Sequence, residues 1–139
     1  MKNLLSIVIA FVFIFPYANA QIADGQSKFL GNIIKNSGEA PDDFDTYWNQ
    51  ITPENLGKWG VAETTRDVME WEALDMLYQY AQDKNFPVKH HTFIWGQQQP
   101  SWLSNLSNAE IKAEVEEWFE LYGARYCSPG ASSASALTT

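Results

Sequence analysis

The stretch that decides the fold reads HHTFIWGQQQPSWL and occupies residues 90–103. Two histidines, two tryptophans and three consecutive glutamines stand here, at the end of a segment, residues 86–95, that predicts a β-strand broken at Gly96. So many rigid rings and amides beside a strand end are typical of a binding site. The plainer interpretation is a buried strand that carries a satisfied histidine.

The rest of the chain predicts strands and helices in alternation. Strands are predicted over residues 29–34 and 49–52, before the one at 86–95, and helices over residues 42–48 and 67–84. The first helix is opened by a proline and acidic residues. The second has an apolar stripe that starts at Val68 and passes through Trp71 and Leu74. Strands that alternate with helices in this way indicate a parallel α/β sheet built from right-handed crossovers.

The last predicted helix has the clearest signals. Ser107 and Glu110 form a capping box at its start, and Gly123 stands where such a helix would end. Apolar residues recur along one face. The other face carries four glutamates, which we expect to be solvated rather than catalytic: Glu114, Glu116, Glu117 and Glu120.

A second polar cluster follows the second predicted strand, over residues 51–59. Glu54, Asn55 and Lys58 offer an acceptor, a mixed amide and a donor, which is the set needed to hold vicinal hydroxyls. An ordinary polar loop that caps a helix would explain the same residues. Because the loops after parallel strands build the site in α/β folds, we expect this cluster and residues 90–103 to meet.

The ends of the chain predict export and disorder. Residues 1–20 resemble a secretory signal peptide, with one early lysine, a short apolar run and an Ala-Asn-Ala cleavage site. A secreted protein with no membrane association after cleavage is therefore expected. Residues 127–139, almost entirely Ser, Ala, Thr, Gly and Pro after Cys127, predict a disordered tail. Cys127 is the only cysteine in the sequence, so no internal disulfide is possible.

The net charge and the aromatic content limit the classes of partner expected for this chain. The net charge of −8 becomes −9 once Lys2 is removed with residues 1–20, and such an acidic chain is not expected to bind nucleic acid. Aromatic residues make up 14% of the sequence, with six tryptophans. Most of these rings are expected in the core, although a secreted, Trp-rich chain also suits rings that stack on sugar faces. Composition does not separate the two.

Both polar clusters resemble motifs of glycoside hydrolase family 10, the endo-1,4-β-xylanases. The sequence TPENLGKW, residues 52–59, resembles that family's T-x-E-N-x-x-K-W element. Some thirty residues later, HTFIWGQQQPSW, residues 91–102, resembles its G-H-T-L-V-W-H-S-Q-x-P-x-W element without the leading glycine. The likeness extends from about Phe29 to Tyr126.

The resemblance implies a (β/α)8 barrel, of which residues 21–126 would supply about the first three βα units. It also implies internal hydrolysis of β-1,4-xylan with retention of configuration, with no cofactor. By match to the motifs, six residues would bind the sugar on the non-reducing side of the cleaved bond: Glu54, Asn55, Lys58, His91, Trp95 and Gln98.

Two positions depart from the family pattern. His90 replaces a glycine and Gly96 replaces a second histidine, which leaves the β-glycan preference open. Because successive side chains on a strand alternate, His90 is expected to pack against a helix while His91 faces the site. Adjacent histidines that point apart make a poor pair of metal ligands, so no metal site is expected.

A retaining glycosidase needs two carboxyl groups about 5 Å apart. The family's catalytic glutamates lie on later strands, no segment here matches them, and the motif role of Glu54 is binding. We therefore expect a fragment of a secreted xylanase that is inactive alone. Two alternatives stay open, namely a non-catalytic carbohydrate-binding protein and an unrelated small α/β protein in which both motifs are accidental.

Overall fold

The computed structural model describes residues 21–127. Within these residues, two strands, four α-helices and one 3₁₀ helix follow in the order β1 (Gly31–Ile34), α1 (Phe44–Tyr47), β2 (Gln50–Pro53), α2 (Trp59–Ala62), α3 (Glu72–Lys84), the 3₁₀ helix (Ser101–Asn105) and α4 (Asn108–Tyr126). The predicted signal peptide and nearly all of the predicted tail lie outside the described residues. Within residues 21–127, no helix combines the length and apolarity needed to cross a membrane.

The sheet is parallel, as predicted. Strands β1 and β2 pair in register from Gly31 opposite Gln50 to Ile34 opposite Pro53. The predicted third strand is mostly wrong, because residues 86–95 join the sheet only through a parallel bridge between Val88 and Ile51. After that bridge the chain leaves the sheet and packs on α4, so the alternation of strands and helices ends there.

Helix α3 starts later than the apolar stripe predicted. Asp67 has a φ of 63°, outside helical space, and its backbone N–H donates to the Glu63 carboxylate at 2.8 Å. Val68 is exposed, so the predicted core role of Val68 is wrong. At the other end Asn85, with a φ of 54°, forms the left-handed cap that ends the helix. Between these limits Leu74 is buried, as the stripe predicted, and so is Leu77.

Helix α4 confirms the predicted start but not the predicted end. The Glu110 backbone N–H donates to Ser107 Oγ, and the Ser107 N–H donates to Glu110 Oε2 at 2.8 Å, which completes the capping box. The helix continues through Gly123 to Tyr126, because Tyr126 packs in the core and holds the last turn in place. The prediction that Glu114 is solvated is also wrong, since this side chain is buried.

An aromatic stack forms the centre of the core, between α4 and the residues around α2 and α3. We use this name for six residues: Trp59, Trp71, Tyr78, Trp118, Tyr122 and Tyr126. The Trp118 ring lies nearly parallel to the rings of Trp59 and Trp71, at centroid distances of 6.2 and 5.7 Å. Trp118 is fully buried, and its indole N–H donates to the Phe93 carbonyl at 3.0 Å. The core therefore orients the loop that carries Phe93.

Candidate functional site

A network of three polar side chains joins the two predicted clusters. Lys58 Nζ donates to Asn55 Oδ1 at 2.8 Å and to Gln98 Oε1 at 2.5 Å. Gln98 Nε2 in turn donates to the same Asn55 oxygen at 3.2 Å. We call Asn55, Lys58 and Gln98 the strand-tip network. These three predicted site residues thus lie together, although 40 residues of sequence separate Lys58 from Gln98.

Backbone contacts hold the two loops of the network together. The Gly60 N–H, in the first turn of α2, donates to the Gln98 carbonyl at 3.0 Å, and Lys58 is the residue just before that helix. A Cβ at Gly57 would stand 2.7 Å from a carbon of the His90 ring and 2.8 Å from the His91 carbonyl. Real Cβ atoms do not approach other atoms so closely, so only glycine lets residues 57–60 pack on the second loop.

The Lys58 ammonium is buried without a carboxylate partner in the described part of the chain, unlike the ion-paired cations of the protein. Lys58 is only 6% exposed, yet within residues 21–127 no carboxylate lies within ion-pair distance of its ammonium. Its contacts are the two amide oxygens and the face of Trp95, whose ring centroid is 4.7 Å from Nζ. A buried charge held by neutral groups keeps its attraction for further oxygen ligands. Trp95 stays 42% exposed, so its ring is accessible to a ligand.

Two predicted site residues stand apart from the network. Among the described residues, no hydrogen bond joins the side chain of Glu54 or His91 to Asn55, Lys58 or Gln98. Glu54 follows β2 and is half-buried, and its backbone N–H donates to the Ile34 carbonyl at 3.0 Å. His91 is exposed. The structure therefore brings together Asn55, Lys58, Gln98 and Trp95 but not Glu54 or His91, and the sugar-binding roles of all six stay predictions.

His90 packs against α4, as the alternation argument predicted. Its Nδ1 lies 2.6 Å from the Tyr122 hydroxyl, and its ring centroid is 4.2 Å from that of Phe93. Burial lowers the pKa of His90 to about 4, and the neighbouring His91 adds to this effect. The imidazole is therefore neutral near pH 7. The hydroxyl of Tyr122 also contacts that of Tyr78 at 2.5 Å. The imidazole of His90 therefore extends a chain of polar groups that begins with these two tyrosines of the aromatic stack.

Sequence reasoning missed a cluster of three carboxylates, of which Glu63 and Glu114 are buried and Asp67 is exposed. Ligand oxygens of Glu63, Asp67 and Glu114 lie within 4.8 Å of one another, a spacing that would suit a metal ion or a catalytic pair. The oxygens of Glu63 already accept hydrogen bonds from the Trp59 indole and the Asp67 N–H, and Glu114 pairs with Arg66. Burial is the main cause that raises the pKa of Glu63. Protein donors thus account for this cluster as part of the fold.

Asn36 was also missed. Its Oδ1 accepts a hydrogen bond from Asn55 Nδ2 at 3.0 Å, which attaches it to the strand-tip network. Asn36 lies two residues after β1, at the same edge of the sheet as the residues that follow β2. Its place after a strand was the available signal.

Known proteins carry the same pattern. The model of glycosyl hydrolase family 10 matches residues 18–132. Endo-1,4-beta-xylanase B of Cellvibrio japonicus (strain Ueda107) is 57% identical over 99 residues, which cover 71% of this chain and 16% of that protein. Endo-1,4-beta-xylanase 3 of Hypocrea jecorina (strain ATCC 56765 / BCRC 32924 / NRRL 11460 / Rut C-30) is 36% identical over 66 residues, 48% of this chain and 19% of that protein.

Solved structures agree on the fold. The crystal structure of xylanase 10B from Thermotoga petrophila RKU-1 in complex with xylobiose superposes with a TM-score of 0.62 at 21% identity, covering 70% of this chain and 33% of that one. A glycosylated endo-beta-1,4-xylanase from Gloeophyllum trabeum gives a TM-score of 0.68 at 16% identity, over 80% and 37% of the two chains. The chain thus spans less than a fifth of the two curated relatives and about a third of these structures.

The family match covers most of the chain and includes both motifs and the strand-tip network. It excludes the alternative of an unrelated α/β protein with accidental motifs. The two parallel strands and their helices are a part of the (β/α)8 barrel of the structural relatives. The chain belongs to glycosyl hydrolase family 10.

Proposed function

We propose that this chain forms the non-reducing-side part of the substrate cleft of an endo-1,4-β-xylanase and binds β-1,4-linked xylo-oligosaccharides there. The observation that carries the proposal is Lys58, a buried cation held by the amide oxygens of Asn55 and Gln98 beside the exposed ring of Trp95. Sugar hydroxyls are neutral groups that both donate and accept hydrogen bonds. They can therefore join such a network without bringing a countercharge.

The names of relatives support the choice of sugar. The Cellvibrio japonicus protein is named an endo-1,4-beta-xylanase, and the Thermotoga petrophila structure contains xylobiose. In this assignment Lys58, Asn55 and Gln98 hydrogen-bond the ring hydroxyls, and Trp95 supplies the apolar wall. Glu54 and His91 would add contacts that form when the sugar is bound. Export directed by residues 1–20 belongs to the same proposal, because a polymeric substrate such as xylan stays outside the cell.

Cleavage with retention of configuration is the reaction that we propose for the complete enzyme, through two carboxyl groups about 5 Å apart. Within residues 21–127, Glu63 and Glu114 approach this spacing, but both are buried and engaged with protein donors. This supports a structural role for both glutamates. We infer that the catalytic carboxyls are not among residues 21–127.

Calorimetric titration of the folded chain tests the proposal. We expect saturable binding of xylotriose and none of maltotriose, whose α-linkages turn successive rings differently. The same preparation, incubated with xylan, is expected to release no reducing ends. A folded chain, checked by circular dichroism, that does not bind xylotriose would contradict the binding function. Turnover of xylan that persists through purification would contradict the inference about the catalytic carboxyls.

A further inference from the structure

The ring of His90 lies between the aromatic stack and the loop that carries the strand-tip network. A Cβ at Gly57 would stand 2.7 Å from Cε1 and 2.9 Å from Nδ1 of His90, so the imidazole occupies the space that a side chain at residue 57 would need. The same Nδ1 lies 2.6 Å from the hydroxyl of Tyr122 on α4. His90 therefore connects a buried residue of the stack with Gly57.

Gly57 is placed so that its position affects the network. It lies between Asn55 and Lys58, and the Lys58 N–H donates to the Asn55 carbonyl at 2.9 Å, which closes this segment into a turn. The two side chains that leave the turn on either side of Gly57 both belong to the network. A shift of Gly57 would therefore move both of them relative to Gln98, which lies on the second loop.

Tyr122 selects one orientation of the His90 ring. Tyr122 is fully buried, and its ring packs edge-on against that of Trp118 at a centroid distance of 5.5 Å, so the position of its hydroxyl is fixed by the core. Turning the imidazole by half a turn about its Cβ–Cγ bond would place a carbon against this hydroxyl and lose the hydrogen bond. The edge of the ring that faces Gly57 is thus set by Tyr122.

The other ring nitrogen indicates where the proton of His90 is. The imidazole is neutral near pH 7, so only one of its nitrogens is protonated. Nε2 is buried and has no hydrogen-bond partner within residues 21–127. Among backbone groups, buried N–H donors without an acceptor are rarer than under-satisfied acceptors, and the same cost applies to a ring nitrogen. This favours a proton on Nδ1, which then donates to the Tyr122 hydroxyl.

We propose that His90 is a positioning residue for sugar binding: as the Nδ1–H tautomer it donates to Tyr122 and thereby holds Gly57, with Asn55 and Lys58, in the arrangement that binds xylo-oligosaccharides. The proposal rests on the function proposed above. His90 acts through Gly57 and not by contact with the sugar. A core hydrogen bond thus contributes to the affinity of a site that it does not line.

Calorimetric titration of the folded chain with xylotriose at pH 7 tests the proposal. We expect Tyr122→Phe to weaken binding about three- to tenfold, the effect of about one neutral hydrogen bond. Tyr78→Phe is the matched control, because it removes the next hydroxyl of the same chain of polar groups and leaves the bond between His90 and Tyr122 in place. Its affinity should equal that of the unmodified chain. Equal losses in both variants would overturn the proposal, since a general disturbance of the stack would then explain them.

His90→Phe approaches the same bond from its other end. It keeps a ring beside Gly57 but has no donor for Tyr122, so it should weaken binding as much as Tyr122→Phe does. The double variant should lose no more affinity than either single variant, because each change removes the same hydrogen bond. Losses that add up in the double variant would contradict the proposal.

The tautomer is measured without any variant. Nitrogen NMR spectra of the unmodified chain at pH 7 should show His90 protonated at Nδ1 and not at Nε2. A proton on Nε2 would overturn the proposal even if the variants do not fold. An unmodified chain that shows the expected tautomer but does not bind xylotriose would instead overturn the function on which the proposal rests.

Discussion

The strand-tip network and the aromatic stack use similar side chains for opposite purposes. In the stack, Trp118 is fully buried between two other indoles, and its N–H is used by a backbone carbonyl. Beside the network, Trp95 keeps 42% of its surface exposed and contacts a cation. The comparison teaches that the buried rings stabilise the fold, and that the one exposed tryptophan within residues 21–127 lies next to a polar network.

The cations of the two regions differ in the same way. Arg125, beside the stack, pairs with Asp75, and the guanidinium holds the pKa of that carboxyl below its usual value. Arg66 pairs with Glu114. Lys58 is buried, and its partners are two amide oxygens and the ring of Trp95. The two arginines are thus neutralised by carboxylates, whereas within residues 21–127 the charge in the network has no carboxylate partner and, in our proposal, is left for a ligand.

Truncating one tryptophan from each region should separate the roles most strongly. Trp118→Ala removes a fully buried indole and should lower the free energy of unfolding by about 3–5 kcal/mol, measured by urea denaturation. Trp95→Ala, at an exposed ring, should change it by less than about 0.5 kcal/mol and weaken xylotriose binding instead. If Trp118→Ala does not fold, Trp118→Phe should show a smaller loss in the same direction. Similar losses of stability for both sites would break the comparison.

The next largest effect is expected in the pH dependence of the free energy of unfolding, where the two adjacent histidines should differ. The folded pKa of His90 is about 4, below its unfolded value of about 6.5, so the unfolded chain binds more protons between these values. The stability due to neutral His90 is complete above pH 6.5 and is lost as the pH falls toward 4, by at most about 3 kcal/mol.

Urea denaturation at pH 7 and pH 4.5 measures the total change in the free energy of unfolding, to which other titrating groups also contribute, so variants are needed to isolate the part due to His90. We expect the difference between the two pH values to shrink in His90→Phe and to persist in His91→Gln, because His91 is exposed. If the free energy of unfolding of His90→Phe changed as much between pH 7 and pH 4.5 as that of the unmodified chain, the contact between His90 and Tyr122 would not depend on the charge of the imidazole.

The residues that sequence predicted correctly follow local rules. The capping box of Ser107 and Glu110 and the packing of His90 against a helix each depend on spacing within a short segment, and the parallel pairing of β1 with β2 follows from the alternation of strands and helices. The positions of the two polar clusters after predicted strands likewise indicated that Asn55, Lys58 and Gln98 would meet, and the three side chains lie in one network. Periodicity and strand ends contain that information.

The errors depend on side-chain contacts that the apolar pattern does not contain. Val68 fits the apolar stripe of α3, but the hydrogen bond from Asp67 to Glu63 excludes it from the helix. Glu114 occupies a position expected to be solvated, but Arg66, 48 residues earlier, pairs with it in the interior. A tertiary partner decided the case of Glu114, and no local pattern in the sequence identifies such a partner.

Lys58 offers the smallest but most specific test of the difference between the two regions. Lys58→Met should weaken xylotriose binding by about 1.5–3 kcal/mol, the range for hydrogen bonds to charged groups, measured by calorimetry. Because the variant also removes a buried charge that has no carboxylate partner, its free energy of unfolding should stay the same or rise. Lys112→Met, at an exposed lysine that pairs only with Glu116, should alter neither quantity. A Lys58→Met chain that loses stability yet binds xylotriose normally would place Lys58 with the cations that serve the fold.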